Sequence, residues 1–168
     1  ADVAPPQGVQ VVPVETAQQM LAAVEAALPA DAGVFAAAVA DWRVATASDR
    51  KLKKSRDGMP VLEFAENPDI LASTAAGRKR PTLLIGFAAE TENVVENAKA
   101  KLSRKGADMI VANDVSADSG VNASGVMGGD RNLVRIVSAD GVEDWPEMGK
   151  DAVAERLARL IAERLASR

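Results

Sequence analysis

The side chains that this sequence offers for chemistry are lysines, carboxylates and amides. The 168-residue chain contains no His, no Cys and no Tyr. Their absence excludes Ser-His-Asp and Cys-His nucleophilic catalysis, thiol redox chemistry and Cys/His zinc sites. General acid–base steps are therefore left to Asp, Glu and Lys, or to the substrate itself. Because the net charge is −4, an anionic ligand must be met by lysines that cluster locally.

Two groups of lysines have the spacing for such a role. Lys51, Lys53 and Lys54 follow the carboxyl end of a predicted strand, where an anion can be bound. The alternative is an edge strand that its lysines protect from pairing with other chains. Lys101 and Lys105 are four residues apart and share one helix face, which suits a clamp on a phosphate or nucleotide. The alternative for this pair is a solvated helix face.

Polar and aromatic residues at the predicted ends of strands and starts of helices form a second group of candidates. Asp41 directly follows an apolar strand, where a carboxylate can bind a metal–phosphate complex, accept from a ligand amide or hydroxyl, or cap a turn. A helix start is predicted where Asn67 caps, Pro68 is the first helical residue and Asp69 lies in the first turn. Its N–H groups can hold a base or an anion, although capping alone explains the pattern. Phe87 ends a strand and can stack on a nucleobase or pack in the core.

The predicted elements that position these residues alternate between strands and helices. Strands are predicted at 8–14, 33–39, 81–87, 108–112 and 133–137, and helices at 16–28, 67–77, 92–105 and 150–166. A β-hairpin is predicted around the turn at Asp57-Gly58. Because the main strands are apolar on both faces, the pattern predicts a three-layer α/β/α domain. Ligands of such sheets bind beyond the carboxyl ends of the strands.

The segment 116–130 is rich in Gly, Ser and Asn and is predicted to be a loop that can cover a ligand. It matches neither the P-loop pattern nor G-x-G-x-x-G. The absence of the latter after any strand disfavours a Rossmann-type oxidoreductase.

Size and charge set the broad class of the protein. The length fits one globular domain over residues 1–168. A sequence pI of about 5.0 is unsuited to general nucleic-acid binding, which needs a basic surface. No apolar run approaches the roughly 20 residues of a membrane span, and no signal peptide is visible. We therefore expect a cytoplasmic protein with no nucleic-acid or membrane partner.

Seven blocks occur in consistent order: AAAVADWR (36–43), KLKK (51–54), NPDIL (67–71), GFAAET (86–91), KLSRKGAD (101–108), VANDV (111–115) and GGDRN (128–132). Together they closely resemble the phosphopantothenate–cysteine ligase family, usually the C-terminal half of a bifunctional bacterial coenzyme A enzyme. The resemblance covers nearly the whole chain. It implies a Rossmann-like (ribokinase-like) α/β/α domain with a mostly parallel central sheet.

The resemblance also implies a reaction. CTP activates the carboxylate of 4′-phosphopantothenate as an acyl-cytidylate and releases pyrophosphate with Mg²⁺ present, and the amine of cysteine then forms the amide. It further implies a homodimer in the intact protein, with a possible fused decarboxylase domain. A chain without His, Cys or Tyr suits this chemistry, because the nucleotide supplies the leaving group and the protein positions and neutralises anions.

Residue roles follow from the resemblance, block by block. Lys51 is implied to neutralise charge near the activated carboxylate and is the leading catalytic candidate, with Asn113 the second. Asp41 is implied to contact the nucleotide or the pantothenate portion beside the backbone of Ala37 and Ala38. The remaining nucleotide-binding candidates are Asn67, Pro68, Asp69, Ile70, Phe87, Lys101 and Lys105.

The sequence departs from the family pattern at its beginning. Family members start with a glycine-rich strand–turn–helix and an N-x-S-S-G segment, and nothing here matches them. We therefore expect these residues alone to keep the groups on the cytidine side and to lack much of the triphosphate site. A non-catalytic nucleotide-binding or dimerisation module is the alternative function.

Overall fold

The computed structural model describes residues 6–46, 62–116 and 131–167. Lys51, Lys53, Lys54, the turn at 57–58 and most of the predicted covering loop lie outside these residues. The chain divides into two compact units. We call Ala1–Ala26 with Ala38–Ile70 the N-terminal unit, and Ala27–Ala37 with Leu71–Arg168 the sheet unit.

The described residues form four helices and eight strands. In chain order they are α1 (Ala17–Ala27), β1 (Ala32–Phe35), β2 (Trp42–Val44), β3 (Phe64–Glu66), α2 (Ile70–Ala76), β4 (Leu83–Glu90), α3 (Val94–Lys105), β5 (Met109–Asp114), β6 (Arg131–Ser138), β7 (Gly141–Asp144), β8 (Met148–Gly149) and α4 (Lys150–Ala166).

A mixed six-stranded sheet forms the middle layer of the sheet unit. Its order is β1-β4-β5-β6-β7, and β8 pairs with the beginning of β6. The pairs β1–β4 and β4–β5 are parallel, whereas β6 pairs antiparallel with β5, β7 and β8. The parallel strands thus lie at the centre and one edge, and the predicted α/β fold is confirmed.

Helices cover both faces of this sheet. On one face, Leu83, Ile85, Met109 and Val111 form a core with Val153 and Leu157 of α4. On the other, Ala88, Ile110, Ala112 and Val137 pack with Val94 and Ala98 of α3. Because side chains alternate along a strand, strands that are apolar at every position must be covered on both sides. The structure therefore has the three layers that the sequence predicts.

The helix ends in the sheet unit follow their predicted signals. Gly106 ends α3 in the left-handed region, with φ 65°, and its N–H donates to the carbonyls of Leu102 and Ser103. A glycine adopts this backbone conformation without steric cost. The last helix, α4, spans the predicted 150–166.

The N-terminal unit begins with the predicted capping box. The N–H of Gln19 donates to Thr16 Oγ1 at 3.1 Å, and Gln19 Oε1 accepts from the N–H of Thr16 at 3.1 Å. These reciprocal hydrogen bonds pair backbone N–H groups at the start of α1 that have no partner within the helix. Strands β2 and β3 form an antiparallel pair, but the predicted arm at 51–54 lies outside the described residues, and of the predicted arm at 61–64 only Phe64 belongs to β3.

Two strand predictions are wrong. The described residues of the 8–14 run form no strand, and Val9, Val11 and Val12 are exposed. No strand of the described chain lies beside this run to form hydrogen bonds with its backbone. Its apolar composition alone therefore does not make it a strand. The predicted strand 33–39 is replaced by the shorter β1, which lies at the sheet edge and leaves Val34 47% exposed. Its only described partner is β4, and the pairing ends at Phe35.

Candidate functional site

In the N-terminal unit, the structure brings the Asp41 block and the Asn67 block together. The pairing of β2 with β3 sets Trp42 opposite Glu66, so the residues just beyond each strand end are adjacent. The N–H of Asn67 donates to the Asp41 carbonyl at 2.7 Å. Asn67 Nδ2 donates to the Ala40 carbonyl at 2.8 Å. Two predicted nucleotide-binding segments thus form one rigid corner.

Asn67 does not cap α2 as the sequence predicts. The helix begins three residues later, at Ile70, because the Asn67 amide is engaged with the backbone before β2 instead. The second polar atom of that amide, Oδ1, is enclosed and accepts no hydrogen bond from any described residue. A buried acceptor without a donor is costly, by about 1–3 kcal/mol. The corner therefore carries an acceptor that a ligand N–H can use.

Two cavities adjoin this corner within the N-terminal unit. One of about 480 Å³ lies against α1 and β3, and one of about 570 Å³ lies against the start of α1 and residues 38–40. Gln18, Arg43 and Asn67 line both. Arg43 is fixed by a bond from its guanidinium to the Glu66 carbonyl. A cationic residue and the residue with the unbonded amide oxygen thus line the same two cavities.

The segment that connects β1 with β2 supplies the other predicted substrate contacts. Ala37 and Ala38 lie after the end of β1 and are exposed, as is Asp41. Because β1 is shorter than predicted, the backbone groups of residues 36–40 are not consumed by strand pairing. Ala38 lines the larger cavity.

In the sheet unit, Lys101 reaches from α3 to the main chain of β4. Its Nζ donates to the Phe87 carbonyl at 2.7 Å. The Phe87 side chain is half-buried against the core cluster on the α4 side. Lys105 lies one turn further along α3 and is half-buried too. A hydrogen bond from Lys101 to Phe87 therefore joins the KLSRKGAD block to the GFAAET block.

Asn113 lies near the carboxyl end of β5, opposite Ala89 on β4 and Val134 on β6. Its Nδ2 donates to Asn132 Oδ1 at 3.2 Å. Its own Oδ1 is enclosed and accepts no bond from any residue that the structure describes. Asn113 is thus, after Asn67, the second predicted site residue whose amide oxygen is buried without a hydrogen-bond donor among the described residues.

The neighbouring carboxylate, Asp114, is held ionised. Burial raises its pKa, whereas hydrogen bonds from the hydroxyl and N–H of Ser116, at 2.6 and 3.1 Å, lower it. A bond from Arg135 at 3.3 Å, with the charge of that guanidinium, acts in the same direction. The pKa of Asp114 therefore lies below its ordinary value of 3.8.

This lowered pKa predicts a pH dependence of stability. The stabilisation is fully present above the unfolded pKa and is lost as pH falls through the lower folded pKa. We expect urea unfolding between pH 6 and pH 2 to show a shallower loss of stability for Asp114→Asn than for the wild type. Glu163→Gln, which changes an exposed carboxylate on α4 with no ion pair among the described residues, is the control and should keep the wild-type slope. Equal slopes for Asp114→Asn and the wild type would contradict the assignment.

Clustered metal ligands and membrane-spanning helices are both absent from the described ranges. No three carboxylates there gather into a group that could hold a metal ion. No helix within 6–46, 62–116 or 131–167 is long and apolar enough to cross a membrane.

The predicted site residues fall into two described groups. The N-terminal unit joins Asp41 to Asn67, with Pro68, Asp69 and Ile70 following, and the sheet unit joins Phe87 to Lys101. Lys51 lies outside the described residues. Sequence reasoning missed Arg43 and Asn132, although both belong to blocks that it identified. An antiparallel pairing of β5 with β6 would have pointed to Asn132, because it sets Asn132 diagonally beside Asn113.

Comparisons with known proteins identify the family. Residues 1–165 match the model of the DNA/pantothenate metabolism flavoprotein C-terminal domain. The coenzyme A biosynthesis bifunctional protein CoaBC of Vibrio cholerae is 39% identical over 163 residues, 95% of this chain and 39% of that protein. The protein of the same name from Mycobacterium bovis is 38% identical over 172 residues, 96% of this chain and 40% of that protein.

A solved structure agrees with these relatives. The crystal structure of the C-terminal domain of CoaBC superimposes with a TM-score of 0.76 at 34% identity, covering 99% of this chain and 71% of that one. The chain spans about two fifths of the length of the curated relatives it matches. The resemblance to the C-terminal half of a bifunctional coenzyme A enzyme is confirmed, and the chain belongs to the family of DNA/pantothenate metabolism flavoprotein C-terminal domains.

Proposed function

We propose that this chain is a phosphopantothenate–cysteine ligase domain that uses CTP. The observation that carries the proposal is the corner at Asn67, where the two blocks predicted to bind nucleotide are bonded to each other beside a cavity. The similarity to CoaBC proteins, whose names state a role in coenzyme A biosynthesis, supports the same assignment. The proposed domain extends over residues 1–168.

In the first proposed step, a carboxylate oxygen of 4′-phosphopantothenate attacks the α-phosphorus of CTP. The bond to the β-phosphate breaks, and pyrophosphate leaves with the Mg²⁺ that accompanied the triphosphate. Cytosine has an exocyclic amine, and the unbonded Asn67 Oδ1 can accept a hydrogen bond from it. Asp41, Phe87, Lys101 and Lys105 supply the further nucleotide contacts.

In the second proposed step, the amine of cysteine attacks the acyl carbon of the acyl-cytidylate. The new C–N bond forms, the bond from the acyl carbon to the CMP phosphate oxygen breaks, and the proton that the amine loses passes to the solvent as CMP leaves. Lys51 stabilises the negative charge that develops at the acyl group. No protein nucleophile is required, which accords with a chain that contains no His, Cys or Tyr. Positioning and electrostatic stabilisation supply the acceleration.

We also propose the setting in which the domain acts. The relatives are bifunctional by name and longer than this chain, which supports a fused decarboxylase domain in the full-length protein. A homodimer and a cytoplasmic location complete the proposal.

The test is Lys51→Ala in the full-length natural protein that contains this sequence. We expect amide formation to fall by at least about 100-fold, a loss of roughly 2.7 kcal/mol of transition-state stabilisation. The affinity for CTP, measured by calorimetry, should change less than threefold. The control is Lys99→Ala, an exposed lysine on α3, which should leave both values unchanged.

Two outcomes would contradict the proposal. A wild-type protein that binds CTP but forms no amide would favour the nucleotide-binding module instead. A Lys51→Ala variant with an unchanged rate of amide formation would remove Lys51 from the catalytic step.

A further inference from the structure

An asparagine is an unexpected residue at position 113. Met109, Val111 and Asn113 alternate onto one face of β5, and the first two belong to the apolar core beneath α4. The residue opposite Asn113 on β6 is Val134, which belongs to the same core. Asn has a low preference for strands, and a carboxamide at such a position must find partners for both of its polar atoms.

Only one of those atoms has a partner among the described residues. Asn113 Nδ2 donates to Asn132 Oδ1, and Asn113 Oδ1 is left enclosed and unbonded. The orientation of the amide is set by this one bond. Without an acceptor at position 132, the carboxamide can rotate by half a turn and exchange its oxygen with its nitrogen.

Asn132 is itself held by main-chain pairing. It lies on β6 opposite Met148 of β8, next to the beginning of α4. The adjacent ionised group does not compete for the same position, because Asp114 alternates to the other face of β5 and is bonded to Ser116 and Arg135. Asn113 Oδ1 is thus a neutral acceptor with a fixed direction at the carboxyl end of a central strand.

We infer that Asn132 is a positioning residue, which holds the Asn113 amide so that Asn113 Oδ1 accepts a hydrogen bond from a substrate N–H or O–H group. This inference rests on the proposed function. Two of the proposed substrates carry such donors: phosphopantothenate has hydroxyl and amide N–H groups, and cysteine has an amine. Because Asn113 Oδ1 has no partner among the described residues, a substrate donor that bonds to it replaces no hydrogen bond with those residues.

The inference predicts a selective kinetic effect for Asn132→Leu in the full-length protein. We expect the KM of either phosphopantothenate or cysteine to rise at least tenfold, with kcat and the KM for CTP changed less than threefold. The substrate whose KM rises is the one that supplies the donor. Asn132→Asp keeps an acceptor for Asn113 Nδ2 and should stay within threefold of the wild type in every constant.

A double substitution tests whether Asn132 acts through Asn113. Asn113→Leu alone should give the same KM increase, and adding Asn132→Leu should worsen it by less than a factor of two, because residues that act as a unit are not additive. Should Asn132→Leu fail to fold, as judged by urea unfolding, Asn132→Ser replaces it. This variant also lacks the carboxamide that accepts from Asn113 Nδ2, and the same KM increase is expected.

Three results would overturn the inference: unchanged KM values for both substrates in a folded variant, an effect confined to CTP, or full additivity of the two substitutions. Calorimetric titration of the wild type with each substrate distinguishes failure of this inference from failure of the proposed function. A wild type that binds neither substrate and forms no amide overturns both proposals, whereas an active wild type with unaffected variants overturns only this one.

Discussion

Replacing Asn67 with Ala is expected to lower kcat/KM for CTP by about 100-fold, equivalent to roughly 2.7 kcal/mol. The substitution removes two things at once. The Nδ2 bond that holds the Ala40 carbonyl is lost, so the Asp41 segment is no longer fixed. The open Oδ1 acceptor is lost as well. Steady-state kinetics with varied CTP at saturating phosphopantothenate and cysteine measure the effect.

A matched amide in the same unit provides the control. Among the described residues, the Gln19 side chain bonds to the backbone at the start of α1, and it lines neither of the two cavities. Gln19→Ala should cost about 1 kcal/mol of helix stability at most and leave kcat/KM for CTP within twofold of the wild type. An Asn67→Ala variant that folds and keeps the wild-type kcat/KM would contradict the assignment of the nucleotide site to this corner.

The second large effect concerns stability. Asp108→Ala is expected to lower the free energy of unfolding by about 2–3 kcal/mol. One carboxylate oxygen of Asp108 accepts from the N–H of Leu84 at 2.7 Å and from the Arg80 guanidinium at 2.9 Å. Its removal leaves the Leu84 N–H at the start of a central buried strand without that acceptor and the Arg80 charge without its partner. Urea denaturation followed by circular dichroism measures the loss.

Two comparison variants separate the hydrogen bond from the charge. Asp108→Asn keeps an acceptor for Leu84 and should lose about half as much stability as Asp108→Ala. Asp140→Ala removes an exposed ion pair with Arg164, and pairs of that kind contribute about 1 kcal/mol or less. A loss for Asp108→Ala no larger than that for Asp140→Ala would show that the Asp108 contacts do not anchor β4.

The sequence predicts best those elements whose signals are local. The capping box at Thr16 and Gln19, the left-handed glycine after α3 and the apolar stripe of α4 each depend on residues within a few positions. The doubly buried strands β4 and β5 are predicted for the same reason, since their apolar residues have no alternative to the core. In these parts of the chain, local preference and burial favour the same conformation.

Predictions fail where pairing with a distant segment decides the outcome. The run at 8–14 has the composition of a strand and no strand beside it in the described chain. Asn67 has the position of a helix cap, but the carbonyls of residues 40 and 41 engage it across the hairpin. The bond between Asn113 and Asn132 depends on the antiparallel register of β6, which composition does not reveal. The role of Lys51 stays a prediction.

The central claim is that CTP activates the carboxylate of phosphopantothenate before cysteine takes part. Exchange of isotopically labelled pyrophosphate into CTP, catalysed by the full-length protein in the absence of cysteine, tests it most directly. We predict exchange that requires phosphopantothenate and Mg²⁺ and that falls at least tenfold in Asn67→Ala. Exchange that proceeds without phosphopantothenate, or amide formation from cysteine with no exchange under any condition, would contradict an acyl-cytidylate and with it the proposed reaction.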